Sequence, residues 1–205
     1  MATIGEFNLS AEGFEAVIFD CDGTLVNSMP SHFEAWCEAL ALHGAGGIFK
    51  EDVFYAMGGR PTKDIVVEIN DEYGLKLDPE RVAFAKREAF LKKLGQLDLI
   101  DEVAEFAESL RGKVPMAIAT GGTRLVIEKT LQAVGVSDLF EEVVTADDVK
   151  VGKPAPDIFL KAAQLLGVAP EKCLVLEDAP AGVMAAQLAG MTVISIPAPL
   201  NVAKK

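Results

Sequence analysis

Two rhythms of apolar positions run along this chain. Short apolar runs without alternation occupy residues 16–19, 116–119, 143–144, 173–176 and 192–196. Such runs suit strands covered on both faces, as strands of parallel sheets are. Between them the apolar residues fall at helical spacing: Val103, Phe106, Ala107 and Leu110; Ile127, Leu131 and Val134; Ile158, Phe159, Ala162, Ala163 and Leu166. Strands alternating with helices of this length predict right-handed βαβ units and an α/β, doubly wound parallel sheet.

One stretch breaks the alternation. From about residue 27 to 95 the helical rhythm continues with no strand. Ser28 and Pro30 open a helix with Phe33, Trp36, Cys37 and Leu40 on one face, and Gly44 closes it. A second helix is expected over 62–71, through Ile65, Val66 and Ile69, and a third from Asp78-Pro79 towards Leu94. The expected organisation is a core made of 1–26 and 96–205, with 27–95 inserted as a small helical domain. Residues 198–205 read as a loose tail.

Composition narrows the setting. Half of the 205 residues are apolar and 24% are charged, enough for a core and a wet surface. No apolar run approaches the roughly 20 residues that span a bilayer. Glu6, Glu12 and Glu15 near the start carry the wrong charge for a secretory signal. Cys21, Cys37 and Cys173 have no metal-type spacing, and an odd count argues against a disulfide framework. A cytoplasmic monomer with reduced thiols is expected. The net charge of -12 repels nucleic acid and anionic membranes. It also repels phosphate esters, so a phosphate site here has to be locally cationic.

The candidate chemistry sits where strands end, which is where open α/β sheets bind ligands. The first run leads into Asp20-Cys21-Asp22-Gly23-Thr24. Two carboxylates on one side of an extended chain, ~4 Å apart, repel by about 4 kcal/mol at an effective dielectric near 20. A cation or a shared proton is needed to relieve them. The second run ends in Thr120-Gly121-Gly122, a hydroxyl and free N–H groups ahead of a helix from about Arg124, fit for phosphate. The third is followed by Lys153-Pro154, a local cation, and the fourth by Glu177-Asp178, either metal ligands or a helix cap at Asp178.

This ordered set, Asp20-x-Asp22-Gly23-Thr24, Thr120, Lys153 and Glu177-Asp178, resembles the haloacid dehalogenase-like superfamily. The helical insertion is similar to its small α-helical cap subclass. Lys153 to Phe159 and Glu177-Asp178-x-x-x-Gly182 resemble the β-phosphoglucomutase-like and fructose-1-phosphate phosphatase-like branch. The resemblance implies a Rossmann-like core and a Mg²⁺-dependent phosphatase acting on small phosphorylated metabolites, sugar phosphates foremost. It implies Asp20 as covalent nucleophile and Asp22 as acid/base, the latter binding metal through its carbonyl. Asp178 would be the further metal ligand, with Glu177 acting through a bound water, and Thr120, Gly121 and Lys153 would hold phosphate. The acid/base aspartate speaks against carbon–halogen cleavage.

Two other functions share these core residues: a phosphomutase, and a non-catalytic phosphometabolite-binding module that the intact motif set argues against. A mutase needs cap cations to hold a second phosphate, and the candidates are His32, Arg60, Lys63 and Lys86. At the position where mutases carry a lysine, this chain is expected to place Glu88, whose charge would repel a second phosphate. The cap therefore favours hydrolysis.

Overall fold

The computed structural model describes residues 9–197. The expected tail at 198–205 lies outside them. Five strands form one fully parallel sheet: β1 (Ala16–Phe19), β2 (Met116–Ala119), β3 (Glu142–Val144), β4 (Cys173–Glu177) and β5 (Thr192–Ser195), in the order β3-β2-β1-β4-β5. β1 lies in the middle, with Ile18 opposite both Ala117 and Val175. The chain moves outward from β1 through β2 to β3, then returns to the other flank for β4 and β5. This reversal puts a topological switch point beside β1, the usual seat of a ligand.

Alternation along β1 explains why both faces are covered. Val17 and Phe19 join one apolar cluster with α5 (Asp101–Leu110) and α6 (Arg124–Ala133). Ala16 and Ile18 join another with α7 (Asp157–Leu166) and α8 (Pro180–Leu188). Phe106 and Phe159 are almost wholly buried on opposite faces, each contributing about 1.5–3 kcal/mol of transfer free energy. Burial on both faces does not extend to β5. It is the outer strand, its ends Thr192 and Ser195 are exposed, and the expectation for that run is corrected accordingly.

Between β1 and α5 the chain forms α1 (Met29–Leu42), α2 (Glu51–Ala56), α3 (Thr62–Tyr73) and α4 (Pro79–Leu91). These helices pack around a third apolar cluster of their own, through Trp36, Leu40, Phe54, Val66, Ile69 and Val82. At the base of the insertion, Ala35, Ala89 and Phe90 belong instead to the main core. Asp78 caps α4 as expected, accepting from the N–H groups of Glu80 and Arg81. Ser28 does not cap α1, because its hydroxyl is used elsewhere. The buried face of α1 is also turned from expectation: His32, Ala35, Trp36 and Ala39 face inward, while Phe33 and Cys37 are half-buried.

Candidate active site

Asp20 directly follows β1, and its N–H bonds the carbonyl of Leu176 on the neighbouring strand. The chain then doubles back tightly, with the N–H groups of Leu25 and Val26 both reaching the carbonyl of Cys21. Gly23 has φ +92°, and a Cβ there would overlap Asp178 Oδ2, so glycine answers both turn and neighbour. Thr24 Oγ1 donates to Asp178 Oδ1 at 2.8 Å, tying the turn to the end of β4. Asp178 therefore does not cap α8. The residue at that cap position is Ala179, which offers no side-chain oxygen.

Lys153 is the cation that an acidic chain requires, and its side chain is wholly buried. Its ammonium donates to Asp20 Oδ1 at 2.6 Å and to Glu177 Oε1 at 2.8 Å, and stands 4.9 Å over the ring of Phe159. Burial opposes its charge, but Asp20 and Glu177 outweigh that and raise its pKa. The other oxygen of Glu177 accepts the N–H of Ala179. A Cβ at Gly182 would overlap Glu177 Oε1, so α8 passes this carboxylate only because it has none.

The acids that cluster are not the pair expected from sequence. Asp20, Glu177 and Asp178 each offer an oxygen within 4.8 Å of the others. Asp22 points its carboxylate elsewhere, so the like-charge cost falls on the trio. Burial, with Glu177 and Asp178 beside it, pushes Asp20 well up despite Lys153. Burial and Glu177 raise Asp178 to about 7. Carboxylates disfavoured in this way, carrying oxygen donors alone, fit a hard divalent cation such as Mg²⁺, which would restore their ionisation.

Asp22 instead faces the inserted helices. Its Oδ1 accepts from Ser28 Oγ at 2.6 Å and from His32 Nε2 at 3.0 Å. His32 is buried, stacked 3.8 Å over Phe90 at 9°, with its Nδ1 3.0 Å from Lys86 Nζ. Burial, followed by the charge of Lys86, pushes the imidazole below its ordinary pKa. The neutral ring thus donates from Nε2 and accepts at Nδ1, forming a chain Lys86–His32–Asp22. Burial alone would raise Asp22, but donation from His32 and Ser28 and the charge of Lys86 lower it.

The expected phosphate loop lies alongside. Thr120 is buried and its Oγ1 accepts the N–H of Gly122 at 3.2 Å, ahead of the start of α6. Gly121 touches the insertion: a Cβ there would lie 2.6 Å from the carbonyl oxygen of Gly59. Arg124 locks the loop in place through Val143 O at 3.0 Å and Asp148 Oδ2 at 2.6 Å, while its N–H reaches Asp147 Oδ2 at 2.8 Å. Asp148 also accepts the N–H and hydroxyl of Thr145.

A cavity of about 920 Å³ opens between these loops and the insertion, bordered by Asp20, Asp22, Thr120, His32, Arg60 and Lys86. Arg60 and Lys63 also line it, but each is held 2.6 Å from a carboxylate, Glu68 and Glu80 respectively. Glu88 does not border it. It is exposed and faces Arg87, so Lys86 rather than Glu88 takes the place next to the site. The charge of Glu88 therefore does not repel a second phosphate in the cavity, contrary to expectation. Sequence reasoning missed Ser28 as a partner of Asp22, Phe90 beneath His32 and the bond from Thr24 to Asp178. Phe90 could have been found, since it lies four residues after Lys86 on one helix face.

The haloacid dehalogenase-like hydrolase family model matches residues 14–190. The chain is 38% identical over 189 residues to fructose-1-phosphate phosphatase YqaB of Escherichia coli, covering 90% of this chain and 97% of that protein. It is 35% identical to hexitol phosphatase A of the same organism, covering 90% and 83%. The crystal structure of CbbY from Rhodobacter sphaeroides, in complex with phosphate, superposes with a TM-score of 0.81 at 26% identity, covering 90% and 86%. The chain belongs to the haloacid dehalogenase-like hydrolases.

Proposed function

We propose that this haloacid dehalogenase-like hydrolase is a Mg²⁺-dependent phosphatase of small phosphomonoesters, sugar phosphates foremost, with Asp20 as the nucleophile. The observation that carries this reading is the buried contact of Lys153 with Asp20, beside Glu177 and Asp178, with Asp20 bordering the cavity. The phosphatase names of relatives covering most of the chain support it. Residues 27–95 are read as the cap, and 1–26 with 96–205 as the core.

Asp20 would attack phosphorus, forming a carboxylate–phosphorus bond as the ester's phosphorus–oxygen bond breaks. Lys153 holds one oxygen of Asp20, leaving the other to attack. Thr120, the Gly121 N–H and Lys153 would receive charge on the phosphoryl oxygens. Asp22 would give a proton to the departing alkoxide, then take one from the water that frees phosphate from Asp20. In the ligand-free site it is ionised and ready for the second step. The entering phosphate dianion favours its protonation for the first. Asp20, Asp178 and the Asp22 carbonyl would hold Mg²⁺, with Glu177 reaching it through water. When bound, the ion supplies positive charge to the phosphoryl group and keeps Asp20 ionised.

Retention of a second phosphate, as a mutase requires, is not favoured by this cap. Arg60 and Lys63 each have their charge answered by a carboxylate at 2.6 Å. The test is a panel of sugar phosphates with and without Mg²⁺, following both free phosphate and isomerised product. Free phosphate that requires Mg²⁺ and vanishes in Asp20→Asn supports hydrolysis. Isomerised product without free phosphate rejects it.

A further inference from the structure

Each carboxylate of the clustered trio is held by a donor from outside it. Lys153 takes Asp20 Oδ1 and Glu177 Oε1, and the N–H of Ala179 takes the other oxygen of Glu177. Asp178 is held differently. Its one side-chain donor among the described residues is a neutral hydroxyl, Thr24 Oγ1, at 2.8 Å. Thr24 is wholly buried, while Asp178 is half-buried at the end of β4. The steps assigned to Asp20, Asp22 and Lys153 make no use of this hydroxyl.

The hydroxyl is aimed by the backbone that carries it. On one side of Thr24 the N–H of Gly23 bonds the carbonyl of Val26 at 2.9 Å, and on the other the N–H of Leu25 bonds the carbonyl of Cys21 at 3.1 Å. A β-branched side chain on a turn closed in this way has few rotamers open to it. The carboxylate it meets is confined as well. Thr24 takes Oδ1, and Oδ2 lies so close above Gly23 that a Cβ there would overlap it. Asp178 is thereby fixed in one orientation, with Oδ2 the oxygen that Thr24 leaves open. Carboxylate ligands are oriented by partners that never touch the metal, and losing such a partner costs about tenfold to a hundredfold in affinity.

We propose that Thr24 is a positioning residue for the metal site, its hydroxyl orienting Asp178 so that Oδ2 is the oxygen offered to Mg²⁺. This rests on the Mg²⁺-dependent reading of the site, and the test separates the two. Binding of Mg²⁺ alone is measured by calorimetry on the wild type, Thr24→Val and Thr24→Ser. Valine keeps the branched shape and removes the donor, whereas serine keeps the donor. The dissociation constant is expected to rise about tenfold or more in Thr24→Val, and to stay within about threefold of wild type in Thr24→Ser. An unchanged constant in Thr24→Val, or an equal rise in both variants, overturns the proposal. A wild type that binds no Mg²⁺ rejects the Mg²⁺-dependent reading and the proposal with it.

A hydroxyl that only supports packing would lower the melting temperature in chelator and leave the Mg²⁺ affinity of the folded protein alone. Turnover supplies the second arm. The Mg²⁺ concentration giving half-maximal hydrolysis of a sugar phosphate is expected to rise in Thr24→Val by the same factor as the dissociation constant. A lower maximal rate with that midpoint unmoved contradicts the proposal. Thr24→Ala removes the same donor with a smaller side chain, and covers the case in which valine disturbs the fold. It is expected to show the same rise of about tenfold or more, and wild-type Mg²⁺ affinity in Thr24→Ala contradicts the proposal.

Discussion

His32 Nε2 meets Asp22 Oδ1 at 3.0 Å, joining a residue of the first inserted helix to the turn that follows the central strand. The acid/base candidate is therefore governed from the insertion, through His32 and then Lys86, while the nucleophile candidate two residues earlier is governed from the core, through Lys153. The two aspartates are separated by environment, as nucleophile and proton carrier must be.

Removing His32 strips Asp22 of one donor and breaks its link to Lys86. His32→Ala is expected to lower kcat by about tenfold to a hundredfold, below the full value of a general acid because Asp22 and Ser28 remain. The loss should be greater for alkyl phosphates than for p-nitrophenyl phosphate, whose leaving group needs no proton. Steady-state kinetics on both ester types check this.

Lys153 is buried with Asp20 and Glu177, and its removal leaves both carboxylates without it. Lys153→Met is expected to destabilise the fold by about 3–5 kcal/mol and abolish turnover. Adding Glu177→Gln should recover part of the stability and none of the activity. Urea unfolding of the single and double variants measures the recovery.

A divalent cation held by the trio of Asp20, Glu177 and Asp178 would relieve their repulsion, and would then bind the folded chain in preference to the unfolded one. Mg²⁺ at about 100 times its dissociation constant should stabilise the protein by about 2.7 kcal/mol. Asp178→Asn is expected to remove most of that gain. Thermal melts across a Mg²⁺ titration, with and without chelator, give the comparison.

Burial lowers the pKa of Lys86 to about 8. Its charge is present below that pH and lost above it, so the cavity wall becomes less cationic as pH rises. KM for a phosphomonoester is expected to increase above pH 8, and Lys86→Gln should have a raised KM that is flat across the same range. A pH series of KM for both proteins decides it.

The strands were legible because parallel strands must be apolar on both faces, and β1 and β2 fall on the runs read from sequence. The edge strand β5 was legible in position but not in burial, since its run is apolar whether or not a helix covers it. The short α2 escaped because six residues, with Phe54 alone buried, make no period. Within the site, residue identities came from the ordered motifs, but pairings did not. Asp20 and Asp22 look like one acidic pair along the chain, yet the sharp turn at Gly23 and the approach of β4 give Asp20 the company of Glu177 and Asp178. Glu88 was misplaced because two residues turn a helix by about 200°, which carries position 88 to the side away from position 86.

The central claim is a covalent bond between Asp20 and the transferred phosphoryl group. Turnover with a sugar phosphate and Mg²⁺, quenched with borohydride, reduces an acyl phosphate to an alcohol that peptide mass spectrometry can locate. Hydrolysis through Asp20 requires homoserine at position 20, formed only when substrate is present and absent without Mg²⁺. Full phosphate release with Asp20 unmodified, or surviving in Asp20→Asn, contradicts it.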